Sequence, residues 1–134
     1  MKFKQHLIPP ININEVGQLI YLQSKTYQVF LLGGWGVKLG DFMLHLKHVS
    51  TGEIQMGKKV SIPTQTYACK RRAKRIFTVD IKETGQYEIA FRNTDTLEVK
   101  RSNLLISSSF MSSIPNSELQ ILLTEKTGIF PINK

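Results

Sequence analysis

Apolar and polar positions alternate along much of this chain, with a period of two. In residues 41–49, DFMLHLKHV, the side chains of Phe42, Leu44 and Leu46 fall on one side and those of His45 and Lys47 on the other. That is the pattern of a strand with one buried face. In RIFTVDI, Phe77, Val79 and Ile81 alternate with Thr78 and Asp80, and in QYEIAFRN, Tyr87, Ile89 and Phe91 alternate with Glu88, Ala90 and Arg92. Gly85 between these runs and Asn93 to Thr96 after them carry turn chemistry. Residues 76–105 therefore predict a three-stranded meander ending in TLEVKRSNLLI.

Upstream, QLIYLQ and TYQVFLLG are rich in β-branched and aromatic residues and are separated by Ser24 and Lys25, which predicts two further strands. GGWGVKLG, residues 33–40, holds four glycines and reads as a loop or a strongly bent connection. Near the end, Ser117 and Gln120 match a capping box, with Pro115 just outside it. Leu119, Leu122, Leu123 and Gly128 then fit a short helix, and a short strand through Leu119 to Leu123 is the alternative. Strand-like runs recurring about every 8 to 14 residues, with turns between them, predict an all-β fold. The expected architecture is an antiparallel, jelly-roll-like β-sandwich of about eight strands with at most one short C-terminal helix.

A length of 134 residues suits one domain spanning residues 1–134, large enough to bury a core without metals or disulfides. Hydrophobic residues make up 41% and charged residues 21%, as in soluble globular chains, and no apolar run approaches the roughly 20 residues of a membrane helix, so no integral membrane segment is expected. In MKFKQHLIPPININ, Pro9 and Pro10 interrupt the chain before the apolar core of a secretory signal could form. Cys69 is the single cysteine, which excludes an internal disulfide and fits a reducing compartment such as the cytoplasm. Export after removal of a signal is the alternative.

Charge changes the picture more than composition does. The net charge is +8, yet no Asp or Glu occurs between Ile54 and Val79, where Lys58, Lys59, Lys70, Arg71, Arg72, Lys74 and Arg75 lie. Outside that segment eleven basic residues stand against ten acidic ones, so nearly the whole excess is local. CKRRAKR places five positive charges in seven residues, whose mutual repulsion is relieved by solvent or by an anionic partner. The plain alternative is a solvated hairpin loop that binds nothing.

Other candidate chemistry is weaker. Gly52, Gly57 and Lys58 have the spacing of a phosphate-binding loop, but Lys59 stands where the magnesium-binding hydroxyl belongs, and Pro63 would interrupt the required helix. A hairpin turn at Ser50 to Glu53 explains the glycines better. Leu39 takes the place of the third glycine that a dinucleotide loop starting at Gly34 needs. Trp35, flanked by glycines that leave its face accessible, is a candidate stacking platform for a sugar or a base; as a structural residue it would cap one end of the core. His45 and His48, three apart on a strand, point to opposite faces and give no metal site, and His6 reads as a surface residue. Cys69 beside Lys70, Arg71 and Arg72 could favour the thiolate, but a buried or semi-buried structural cysteine is the expectation.

GDFMLHLKHVSTGEI followed by IFTVDIKETGQYEIAFRN resembles the GOLD family of β-sandwich domains over roughly residues 18–106. The likeness is carried by a strand leading into the Ser50 to Glu53 turn, then by Phe77 to Ile81, and then by Gly85, Tyr87, Ile89, Phe91 and Asn93. The paired cysteines, coiled coil and membrane helix of the membrane-trafficking members are missing. The resemblance implies a sandwich used for protein or ligand binding, with no catalytic residues to carry over and no implied role in vesicle transport.

The leading expectation is a non-enzymatic binding module without cofactor or metal. It would present Lys58, Lys59, Lys70, Arg71, Arg72, Lys74 and Arg75 to an anionic macromolecule or an acidic protein surface, with the Trp35 loop as a second contact. A carbohydrate-binding sandwich centred on Trp35, with a glycan as partner, comes second. Nucleic-acid binding comes third, because Tyr67 is the only aromatic in residues 58–75. Sandwich edges would also allow a homodimer.

Overall fold

A computed structural model of the chain describes residues 8–61, 64–100 and 113–125. Its strands pair antiparallel throughout. One sheet runs β1 (Ile11–Asn12), β12 (Gln120–Glu125), β3 (Thr26–Leu32) and β9 (Arg71–Asp80), and the free side of β9 carries both β7 (Lys58–Lys59) and β8 (Gln65–Ala68). The second sheet runs β2 (Gln18–Leu22), β10 (Gly85–Arg92), β5 (Met43–His48) and β6 (Ile54–Met56), and β4 (Gly36–Lys38) pairs with β11 (Glu98–Lys100) in a separate ribbon. The all-β antiparallel sandwich expected from the alternation is the observed fold.

The core lies between the two sheets because each sheet turns one alternating set of apolar side chains toward the other. Val29, Leu31, Phe77 and Val79 from the first sheet meet Ile20, Leu22, Leu44, Leu46, Tyr87 and Ile89 from the second. Phe42 stacks on Phe77 with ring centroids 6.0 Å apart, joining the layers. Each of these large side chains contributes about 1.5 to 3 kcal/mol by leaving water. β3 is buried on its other face as well: Phe30 and Leu32 form a second cluster with Ala73 of β9. This explains why TYQVFLL reads as a nearly continuous apolar run.

Several expectations change. The meander over residues 76–105 does not form: β9 pairs with β3, β7 and β8, whereas β10 pairs with β2 and β5. The short link after Asp80 carries the chain from one sheet to the other, and alternation marks a strand without naming its neighbour. Residues 101–105 of that expected meander lie outside the described residues. Among the described residues there are twelve strands, against about eight expected. Five of them, β1, β4, β6, β7 and β11, have only two or three residues each, too short for alternation to signal. β4 forms inside the glycine-rich stretch expected to be a loop or a strongly bent connection.

Of the two readings of the C-terminal segment, helix or strand, the strand forms: one 3-10 turn, Asn116–Glu118, leads into β12 in place of the capping-box helix. Leu119, Ile121 and Leu123 are all buried, a period of two that pairing with β3 satisfies and a helix would not. The turn expected at Ser50 to Glu53 closes the β5–β6 hairpin. His48 N–H donates to Glu53 O at 2.8 Å, Gly52 N–H donates to His48 O at 2.8 Å, and Gly52 has a φ of 78°. Gly57, Lys58 and Lys59 continue as extended chain, so this stretch lacks the helix of a phosphate loop.

Candidate anion-binding cleft

The CKRRAKR run straddles a tight turn and the first half of β9. Ala68 pairs with Arg71, leaving Cys69 and Lys70 as a two-residue hairpin loop. Their φ values are 53° and 62°. Positive φ at both central positions is the requirement of the type I′ hairpin turn, normally met by Asn-Gly. In L-residues it costs about 1 to 2 kcal/mol each. Cys69 is exposed at the tip, contrary to the expected buried cysteine, because the loop projects it away from both sheets.

Because side chains alternate along a strand, the run is divided between two faces. Arg71, Ala73 and Arg75 share the face of the second cluster. Arg71 donates to Gln120 Oε1 across the sheet, and Arg75 Nη1 donates to the buried Gln28 Oε1 at 2.9 Å. Arg72 and Lys74 point the other way, toward Trp35. The guanidinium carbon of Arg72 lies 4.7 Å from the Trp35 ring centroid, and Lys74 Nζ donates to Trp35 O at 2.9 Å. The basic run, for which a hairpin loop was the alternative reading, is mostly strand, with only Cys69 and Lys70 in the turn.

Trp35 lies in the connection from β3 to β4. Its indole N–H donates to Thr66 O at 3.2 Å, and its ring meets Tyr67 edge-on, with centroids 5.4 Å apart and planes at 75°. Tyr67 is also the direct cross-strand partner of Arg72. The flanking glycines therefore do not leave the indole bare: Arg72 covers one face of the ring, and the residue is half-buried. Tyr67 is the exposed aromatic here, with 56% of its surface accessible.

A cleft of about 550 Å³ opens beside this group, bounded by Tyr67, Lys70, Arg71 and Arg72 on one side and by Ile114 and Glu118 on the other. Gly33 also lines it, with its N–H donated to Arg72 O at 2.8 Å. Three cationic side chains and one carboxylate leave the cleft positively charged. Of the expected binding residues, the fold gathers Lys70, Arg71 and Arg72 in the cleft, with Trp35 supporting Arg72. It does not bring in the others: Lys74 is tied to Trp35 O, Arg75 faces Gln28, and Lys58 and Lys59 lie farther along the same edge of β9, opposite Thr78 and Phe77.

No protein-family model, curated protein or solved structure matches this chain.

Tyr67, Ile114 and Glu118 were not among the expected site residues. Ile114 and Glu118 come from a distant part of the chain and carry no local signal, whereas Tyr67 would have been found by reading Ala68 to Arg71 as a tight hairpin. That signal was absent because Cys-Lys occupies the turn in place of Asn-Gly. The histidines separate as their spacing predicts. His48 is buried, its Nδ1 accepting from the Ser50 and Thr51 N–H groups at 3.2 and 3.3 Å, while His45 lies on the outer face of its sheet. Burial, helped by the nearby Arg92 charge, holds the His45 imidazole below its ordinary value. Among the described residues no cluster of three or more His, Cys, Asp and Glu could hold a metal ion, and no helix is long and apolar enough to cross a membrane. His6 lies outside the described residues.

Proposed function

We propose that the protein is a non-enzymatic binding module whose cleft between the β8–β9 turn and the segment entering β12 receives an anionic group of a partner. The observation that carries this reading is the convergence of Lys70, Arg71 and Arg72 on one cleft beside an exposed tyrosine. Arginine offers planar, paired donors that match carboxylate, sulfate or phosphate oxygens, and lysine adds a mobile point charge. Gln120 braces Arg71 and Trp35 braces Arg72, which lowers the entropy lost when an anion is gripped. The resemblance of residues 18–106 to GOLD domains supports the same reading of a jelly-roll-like sandwich used for binding. A glycan stacked on Trp35 fits less well, because Arg72 already occupies that ring.

Trp35 is the only tryptophan, so its fluorescence reports directly on the cleft. Titration with heparin or polyphosphate should perturb Trp35 emission at low salt and lose affinity steeply as salt rises, because binding releases counterions. The Lys70→Glu, Arg71→Gln pair should weaken binding at least tenfold while leaving the unfolding transition cooperative. Polyanion binding that ignores both changes would remove the cleft from consideration.

A further inference from the structure

Resting on the anionic-partner reading above, we propose that the partner is single-stranded nucleic acid, with phosphates held by Lys70 and Arg71 and a base stacked on Tyr67. Two features point beyond a simple polyanion. The first is the aromatic group: Tyr67 is 56% exposed, is held edge-on against Trp35, and sits across the strand pair from Arg72, whose guanidinium carbon lies over the Trp35 ring. Aromatic rings and guanidinium planes in a cationic setting are the means by which unpaired bases are held. A carboxylate of an acidic protein segment satisfies the cations but does not itself stack on the tyrosine ring, whereas a nucleotide brings a phosphate and a planar base together.

The second feature is the layout of charge along the edge of β9. Lys58 and Lys59 of β7 pair opposite Thr78 and Phe77, and β8 continues along the same edge to Tyr67 opposite Arg72. Five residues of strand separate Phe77 from Arg72, about 17 Å, which is the reach of roughly three to five nucleotides. A chain with its base at Tyr67 could thus run its backbone past the exposed Lys58 and Lys59. A duplex keeps its bases stacked inside and cannot place one on Tyr67, and a cleft of about 550 Å³ suits one or two nucleotides rather than a double helix.

The test uses the full chain, a fluorescein-labelled dT12 strand, the dT12·dA12 duplex and inorganic polyphosphate, read by anisotropy and by Trp35 emission at two salt concentrations. The expected result is that dT12 binds more tightly than the duplex. Tyr67→Ala should weaken dT12 roughly 5- to 100-fold, the effect of losing one stacked base, and leave polyphosphate unchanged. Tyr67→Phe, which keeps the ring, should stay within about twofold of the parent for both ligands. If dT12 binds but is indifferent to Tyr67→Ala, or the duplex binds more tightly, the assignment of a single strand with a base on Tyr67 is overturned while the cationic cleft stands. If neither dT12 nor polyphosphate responds to the Lys70→Glu, Arg71→Gln pair, the cleft itself is not the binding site and both readings fall.

Discussion

Arg72 lies over the ring of Trp35, its guanidinium carbon 4.7 Å from the ring centroid. The two residues are 37 positions apart in the chain, and their contact joins the glycine-rich connection after β3 to the basic strand β9. What the sequence presents as two separate candidates, a tryptophan loop and a basic run, is one surface in the folded protein.

That contact has a measurable worth. A cation over an indole contributes about 0.5 to 2 kcal/mol, depending on how dry the site is. Arg72→Ala should lower stability in urea by that amount and move Trp35 emission toward that of a more exposed indole. Arg72→Lys should retain part of the stability but less of the spectral position, since an ammonium does not cover the ring as a planar guanidinium does. An unchanged emission spectrum in Arg72→Ala would show that Arg72 does not shield Trp35 in solution.

The β8–β9 turn holds strain that a better turn sequence would release. Cys69 and Lys70 both have positive φ, whereas Asn and Gly adopt that conformation readily. The double change Cys69→Asn, Lys70→Gly should raise unfolding stability by about 1 to 2 kcal/mol in urea denaturation. It should also weaken polyanion binding, because one of three cleft cations is removed. A loss of stability would mean that the two side chains make contacts outweighing their backbone cost.

Two glycines of similar backbone conformation should respond very differently to alanine. Gly52 has a φ of 78° with nothing within 4 Å of an added Cβ, so Gly52→Ala meets only the left-handed penalty, about 1 to 2 kcal/mol. Gly40 has a φ of 58°, and its Cβ would stand 2.5 Å from the Thr96 carbonyl oxygen. Gly40→Ala adds overpacking against backbone and should cost roughly 2 to 5 kcal/mol in total. Equal losses in the two variants would indicate that the turn around Thr96 yields freely.

His45 makes stability depend on pH in one direction. Its folded value lies below the ordinary 6.5, first through burial and then through Arg92. The unfolded chain therefore binds the proton more readily, and protonation favours unfolding. Stability from this group is complete above about pH 6.5 and is lost as pH falls from there through the folded value. His45→Gln should flatten that part of the stability curve measured by denaturation between about pH 7.5 and 5. A parent curve already flat over that range would contradict the shift.

The order of side chains along the chain was sufficient to determine that this is a β protein, where most longer strands lie, and that Ser50 to Glu53 is a turn. These features are local: period-two alternation buries one face, and turn residues act within four positions. It also located the excess positive charge, since composition does not depend on folding. Which strands pair was decided only in three dimensions, because the apolar face of β9 fits the common core equally well whichever sheet the strand joins. The C-terminal segment became a strand because pairing with β3 satisfies its backbone and buries Leu119, Ile121 and Leu123 together. The cleft arose in the same way: alternation along β9 sent Arg71 to Gln120 and Arg72 to Trp35, and the turn at Cys69 and Lys70 set Tyr67 across from Arg72. Contacts between residues so far apart in the chain leave no periodic trace, so the charge was legible in the sequence and the site was not.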